Sequence, residues 1–290
     1  MLAYLKQVDL DILHALNSLS GVWAIDHTIN FVTSSTLAKG MILLAAYWYF
    51  WFDPDCARRP RTRAFLVDGV SAGVLAVFIA RLIANLFPMR MRPIFDAASG
   101  FHINVDALPG SFENWSSMPS DHAAFVMALA FALMRVSRPA SYAFIAYSAI
   151  FVCLPRVYLG IHYPSDVIVG ALIGAFAAWL APSVGLTRVS EKLVSVAKRN
   201  FAMFYAAAFL VTAEFAQMFD NIRMAGRAAG KIYAHAPFDG RASALLALLG
   251  VAVCVAGVWA LFAYLRRNAS IMAATAPASH PAQRNTGVAA

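Results

Sequence analysis

Residues 64–87 run almost without interruption through Ala, Val, Leu, Ile and Phe, with Asp68 and Arg81 as the charged exceptions. About 20 apolar residues suffice to cross a hydrocarbon core, so this stretch constrains the fold before any motif does. Further apolar runs fall at 37–52, 121–134, 140–154, 164–181, 201–219 and 244–265. Hydrophobic residues make up 61% of the 290 and charged residues 13%, and the mean hydropathy is +0.64, far from the usage of soluble domains. The pattern predicts an all-α polytopic membrane helix bundle of about six to seven transmembrane helices.

The formal net charge of +8 does not point to nucleic acid. Lysines and arginines lie in short clusters between the apolar runs, as the flanks of membrane spans do. Cys56, Cys153 and Cys254 are far apart in sequence, which suits neither a disulfide framework nor a paired-cysteine metal site.

The chain divides into four regions. Residues 1–36 form an N-terminal interfacial amphipathic segment: Leu5, Val8, Ile12, Leu16 and Leu19 make a helical stripe, with Lys6, Asp9 and Asp11 opposite it. It lacks the basic start and clean apolar core of a signal peptide. Residues 37–182 hold the first five spans, 183–267 a basic loop and two further spans, and 268–290 a disordered tail rich in Ala, Pro, Ser and Thr. If the loop carrying Arg58, Arg59, Arg61 and Arg63 is cytoplasmic, alternation also places the Arg135/Arg138 turn and the 188–199 loop inside. The long loop 88–119 and the segment 156–163 then share the outer face.

Chemistry gathers on that face. In Arg156-Val-Tyr-Leu-Gly-Ile-His162-Tyr-Pro164-Ser-Asp166, Pro164 suits the first turn of a helix. His162 then stands at the helix entrance with Asp166 one turn inside. That spacing lets a carboxylate hold one imidazole nitrogen and leave the other as a base or nucleophile. Arg156 can bind an anion beside it. Upstream, Pro119-Ser120-Asp121-His122 opens an apolar run, so backbone N–H groups face any anion bound there. Arg90 and Arg92-Pro93 follow the second span. Arginines around phosphate oxygens, an in-line histidine nucleophile and a second histidine as proton donor meet the needs of phosphoryl transfer without a metal. His122, His162 and Asp166 could instead be metal ligands, but Arg92 and Arg156 beside them would repel a cation.

Taken in order, these motifs resemble the type 2 phosphatidic acid phosphatase (PAP2) superfamily, and in particular its bacterial undecaprenyl-diphosphate phosphatases. The family pattern is K-x6-R-P, P-S-G-H and S-R-x5-H-x3-D, and the resemblance spans roughly residues 37–181. It implies that His162 attacks phosphorus to form a phosphohistidine, Asp166 holds that histidine, and His122 protonates the leaving oxygen. Arg92, Ser120 and Arg156 would bind the phosphate, with no cofactor and no metal. The implied substrate is a lipid phosphate or diphosphate, foremost undecaprenyl diphosphate, processed on the periplasmic face of a bacterial inner membrane. Rival enzymes are a broad phosphatase acting on phosphatidate or phosphatidylglycerophosphate and a lipid phosphotransferase. A non-enzymatic transporter fits less well, since its ionisable groups would gather near the bilayer midplane.

Three positions depart from the pattern. Asn85 stands where the family has lysine, Pro155 replaces the serine before Arg156, and Asp121 replaces glycine. A carboxylate at 121 repels phosphate unless it pairs with an arginine. Arg81 shares a helical face with Asn85 and can snorkel toward the outer surface, which makes it the candidate to replace the lysine. Arg90 is the alternative from the loop side, and Arg81 could instead pair with Asp68 or Glu214 inside the bundle. His14, His27, His102, His235 and His280 suit plain solvated roles.

Overall fold

The computed structural model describes residues 2–59, 61–102, 115–221, 224, 225 and 228. The chain divides into two compact units, Met1–Ile222 and Arg223–Ala290, and the helix bundle belongs to the first. The seventh apolar run, 244–265, and the tail lie outside the described residues.

Every described element is helical. In order they are α1 Leu2–Asn17, α2 Trp23–Ser34, a π-helical turn Leu37–Met41 leading into α3 Ile42–Phe52, the short α4 Pro54–Arg58, and α5 Thr62–Leu86. After the loop come α6 Asp121–Ala132, α7 Arg138–Tyr147, a π-helical stretch Ser148–Cys153, α8 Leu154–Tyr158, α9 Pro164–Ser183, α10 Leu186–Arg199 and α11 Phe201–Ala216. Among these, α5, the continuous stretch Arg138–Tyr158 and α9 are long and apolar enough to cross a membrane. The pair Trp23–Ser34 and Leu37–Phe52, bent by 64°, makes a fourth if it is counted as one span.

The short α6 is the centre of the bundle. Residues 123–130 are all buried, enclosed chiefly by α5 and α9. Alanines form the seam: Ala72, Ala76 and Ala80 of α5 meet Ala124, Ala128 and Ala132 of α6 and Ala177, Ala178 and Ala181 of α9. Spacing of four in α5 and α6, and of three and four to Ala181 in α9, keeps each set on one side of its helix, and small side chains let the backbones approach where lipid offers no hydrophobic drive. At Gly174 a Cβ would collide with the Ala124 carbonyl oxygen, and at Gly170 one would collide with that of Ser120. These two glycines set how closely α9 lies on the helix that opens with Ser120.

A buried carboxylate inside the bundle is tied down. Asp68 of α5 is fully buried and accepts the hydroxyls of Thr187 (2.7 Å) and Ser190 (2.6 Å) from α10. Residues 186–199, expected as a basic loop, are therefore a helix whose hydroxyls satisfy a carboxylate that would be costly in an apolar bundle. Leu5, Ile12 and Leu19 of the anticipated stripe are exposed, whereas Asp9 and Leu13 are buried. The face with Asp9 and Leu13 turns inward, toward α8 and α9, and Leu16 of the stripe packs against the core.

Candidate active site

The local sequence explains how His162 is presented. Helix α8 ends at Tyr158, so Arg156, expected in an outer loop, lies in its last turn. The Arg156 carbonyl then accepts the N–H groups of Ile161 (3.0 Å) and His162 (3.2 Å), folding the link tightly before Pro164 starts α9. His162 is only 3% exposed. Its Nδ1 lies 2.7 Å from the Ser117 carbonyl oxygen, and because a carbonyl can only accept, Nδ1 carries the proton. In the neutral ring Nε2 is then the bare nitrogen, and it lies 3.3 Å from Arg92 Nη1.

The Asp166 carboxylate stands within ion-pair distance of the imidazole rather than in a hydrogen bond with it. The nearest approach, Nδ1 to Oδ2, is 3.8 Å, beyond hydrogen-bond reach. The carboxylate is fully occupied elsewhere: Oδ2 accepts the Tyr163 N–H at 2.8 Å and the Ser117 hydroxyl, and Oδ1 accepts Arg90 Nη1 at 2.5 Å. The bond to Tyr163 N–H is half of a capping box, in which an acidic residue three positions into a helix reaches back to the N-cap. Asp166 thus anchors Ser117 by its hydroxyl, and Ser117 orients His162 by its carbonyl.

Arg92 is 4% exposed and donates through Nη1 to the Ile161 carbonyl oxygen at 2.9 Å. Burial pushes its guanidinium down to about 10, with the Arg81 charge acting the same way and Asp121 and Asp166 opposing; it remains a cation at neutral pH. Burial likewise lowers the His162 imidazole below its ordinary value; Arg92 and Arg156 add to that, and Asp166 opposes it. That direction favours the neutral, nucleophilic form of the ring.

Helix α6 reaches the same place. The Ser120 N–H donates to the Asp166 carbonyl oxygen at 3.0 Å, which docks the start of α6 on the first turn of α9. Ser120 is fully buried, and its hydroxyl has no hydrogen-bond partner among the described residues. His122, half-buried, stands in the first turn of α6, and Arg156 is buried in the last turn of α8.

The departure at 121 and the candidate substitute at 81 prove to be a pair. Arg81 Nε donates to Asp121 Oδ1 at 2.8 Å, and Nη2 contacts the other carboxylate oxygen. Neither Asp68 nor Glu214 takes that arginine. The guanidinium also lies over the Trp115 ring, 4.9 Å from its centroid. Arg81 and Trp115 line a cleft of about 480 Å³ together with Ala84, Asn85, Phe87, Met89 and Ser116.

Arg90 is held from both sides, by Asp166 and by Asp9 Oδ2 at 2.8 Å. Asp9 also accepts the Ser165 N–H (2.8 Å) and hydroxyl (2.5 Å). Asp9, Ser117 and Ser165 escape sequence reasoning. Asp9 falls on the polar side of an amphipathic helix, and Ser117 acts partly through a backbone carbonyl, which has no sequence signature. His14, expected to be solvated, places Nε2 2.6 Å from the Ser99 carbonyl oxygen. Among the described residues no group of three or more His, Cys, Asp and Glu side chains is placed to hold a metal ion.

Known proteins share parts of this chain. A decaprenylphosphoryl-5-phosphoribose phosphatase of Mycobacterium tuberculosis is 36% identical over 129 residues, which is 43% of this chain and 63% of that protein. The match thus spans under two thirds of that relative. An undecaprenyl-diphosphatase of Sulfolobus acidocaldarius is 26% identical over 174 residues, covering 59% of this chain and 81% of that one. The crystal structure of a PAP2-type phosphatidylglycerolphosphate phosphatase from Bacillus subtilis aligns with a TM-score of 0.40 at 20% identity, over 62% of this chain and 86% of that one. The segment 65–190, which carries α6, α9, most of α5 and the pocket around His162, is where this helical membrane protein matches the model of the PAP2 superfamily.

Proposed function

We propose that this protein is an integral-membrane phosphatase that removes a phosphate from a phosphate or diphosphate lipid through a phosphohistidine on His162. The observation that carries this is the imidazole itself: Nδ1–H is committed to the Ser117 carbonyl, and the bare Nε2 faces the Arg92 guanidinium, a cation placed to hold the phosphate under attack. Nε2 forms a bond to phosphorus as the bond from phosphorus to the leaving oxygen breaks, and His122 supplies the proton which that oxygen takes up. Water then attacks the phosphohistidine with His122 as base. The P–N bond breaks, inorganic phosphate leaves, and His162 is restored. Ser120 and Arg156 complete the phosphate cradle.

Undecaprenyl diphosphate is the substrate we favour. Its leaving group is a phosphate rather than an alkoxide, so departure demands little of His122, and two similar proteins bear names that describe polyprenyl-linked phosphates. We place the site on the periplasmic face of a bacterial inner membrane, where the product lipid carrier would be recycled. Phosphatidate, phosphatidylglycerophosphate or a phosphosugar lipid as the best substrate would replace that choice. Phosphate recovered on an acceptor lipid would identify a transferase.

The experiment is a rapid quench of purified protein with terminally ³²P-labelled lipid, with label sought on protein in an acid-labile, alkali-stable form. Wild type should carry it transiently and His162→Ala should not. Turnover without labelled protein, or labelling that survives His162→Ala, would remove the covalent mechanism.

A further inference from the structure

Arg90 lies between two buried carboxylates. One guanidinium nitrogen is 2.5 Å from Asp166 Oδ1 and 2.8 Å from the Ser165 hydroxyl, and the other is 2.8 Å from Asp9 Oδ2. Its carbon sits 4.1 Å from the centroid of the Tyr163 ring. Its Nη1 and Nη2 thus each hold a carboxylate, and the Tyr163 ring covers one face. The outcome is a row of alternating charges: Asp9 on α1, Arg90 in the loop after α5, Asp166 on α9, and then the imidazole, 3.8 Å from Asp166.

We propose that Arg90 and Asp9 are positioning residues that tune the basicity of His162 through Asp166, so that the N-terminal helix is part of the catalytic apparatus. This rests on reading His162 as the nucleophile and deepens it. Asp9 lies outside the segment 65–190 that matches the PAP2 superfamily. Yet it is only 5% exposed and accepts three hydrogen bonds, two of them from Ser165 in the first turn of α9. Such a carboxylate is built in rather than solvated.

The charges around the ring fix the direction of each effect. Arg92 from the loop, Arg156 from α8 and Asp166 from α9 act on His162, and Asp121 and His122 lie in the first turn of α6, whose N-cap Ser120 bonds to the Asp166 carbonyl. Tyr163, whose hydroxyl is 3.0 Å from Asp96 Oδ2, adjoins His162 in sequence, and Arg90 and Asp9 stand behind Asp166. Arg90 neutralises part of the Asp166 charge that would favour the imidazolium. Replacing Arg90 by glutamine therefore makes His162 more basic. Asp9 in turn neutralises part of Arg90, so replacing Asp9 by asparagine makes His162 less basic. A scaffold role predicts no such opposition.

The test is histidine ¹³C NMR on full-length protein in detergent micelles, with the His162 resonance assigned by its loss in His162→Asn. Titration midpoints are compared for wild type, Arg90→Gln, Asp9→Asn and the double variant. Arg90→Gln should raise the midpoint and Asp9→Asn lower it, each by about half to one pH unit, the scale of a neighbouring charge acting through partly buried surroundings. The charge-balanced double variant should return toward wild type. Thermal unfolding of each variant identifies any that fails to fold, and the remaining variants then carry the comparison. Midpoints that do not move, or move the same way in both single variants, overturn the proposal. The acid limb of kcat/KM for phosphate release should follow the same order. If wild type releases no phosphate from any lipid offered, the enzymatic reading fails while the NMR comparison still decides this one.

Discussion

Asp121 brings a negative charge to the edge of the proposed phosphate site, and it is paired with Arg81, four residues before the position of the missing lysine. The two form a bidentate pair beside the cleft, so each masks the other from substrate. Removing one partner exposes the opposite charge: Arg81→Ala should raise KM about tenfold, whereas Asp121→Asn should lower it severalfold, with kcat changing less in both. The double variant should lie between them, and equal losses in all three would show the pair to be structural only. At His162, burial holds the imidazole below its usual value. The acid limb of kcat/KM, which reports the free enzyme's base, should therefore fall below about 6.5, the ordinary imidazole value. A limb above that value would contradict the neutral, buried nucleophile. His162, Asp166, Arg92 and Ser120 were legible because each sits at a fixed offset from a proline that starts or precedes a helix. The bond from His162 to the Ser117 carbonyl and the contact of Asp9 with Ser165, 156 residues away, were not, since no local pattern encodes either.

His162 stands two residues before α9 and Asp166 in its first turn, while Ser120 caps α6 and His122 lies in its first turn, so the spacing between these two helices bears on the distance between the two histidines. Gly170 and Gly174 fix that spacing. A methyl group at 174 would run into the Ala124 backbone oxygen, which backbone cannot yield cheaply. Gly174→Ala should cost about 1–3 kcal/mol of stability, as overpacking does, and should lower kcat by more than its effect on KM, because the histidines separate while the arginines stay. An alanine variant with normal kcat and Tm would show that the seam is slack. The existence of α5, α6 and α9 could be read from their apolar runs and caps. Helix α10 could not: its basic residues suggested a loop, and the reason it is ordered, two hydroxyls on Asp68, depends on a residue far earlier in the chain.

For the molecule as a whole, orientation is the testable quantity. Ala98 is exposed in the loop with Arg90 and Arg92, and Ser195 is exposed on α10; Ser111, a natural choice for the same loop, lies outside the described residues. With Cys56 and Cys153 both buried, a cysteine at Ala98 should react with an impermeant maleimide in intact cells and one at Ser195 only after the membrane is opened. The reverse pattern would place the site inside and end the carrier-recycling reading. Alternating basic clusters made this prediction possible from sequence. The number of spans was harder to read, because α6 is apolar through enclosure by its neighbours rather than by lipid. The cleft beside Arg81 has a further consequence. Leu86, Phe87 and Met89 at its lip are exposed, and Phe78 and Leu82 continue an exposed apolar ladder down α5, the kind of surface that belongs against acyl chains. A substrate whose tail lies along that ladder arrives sideways, within the plane of the bilayer, and the enzyme meets it per unit area rather than per unit volume. Diluting the substrate with inert detergent in mixed micelles, at constant total substrate, should slow the reaction as though substrate had been withdrawn.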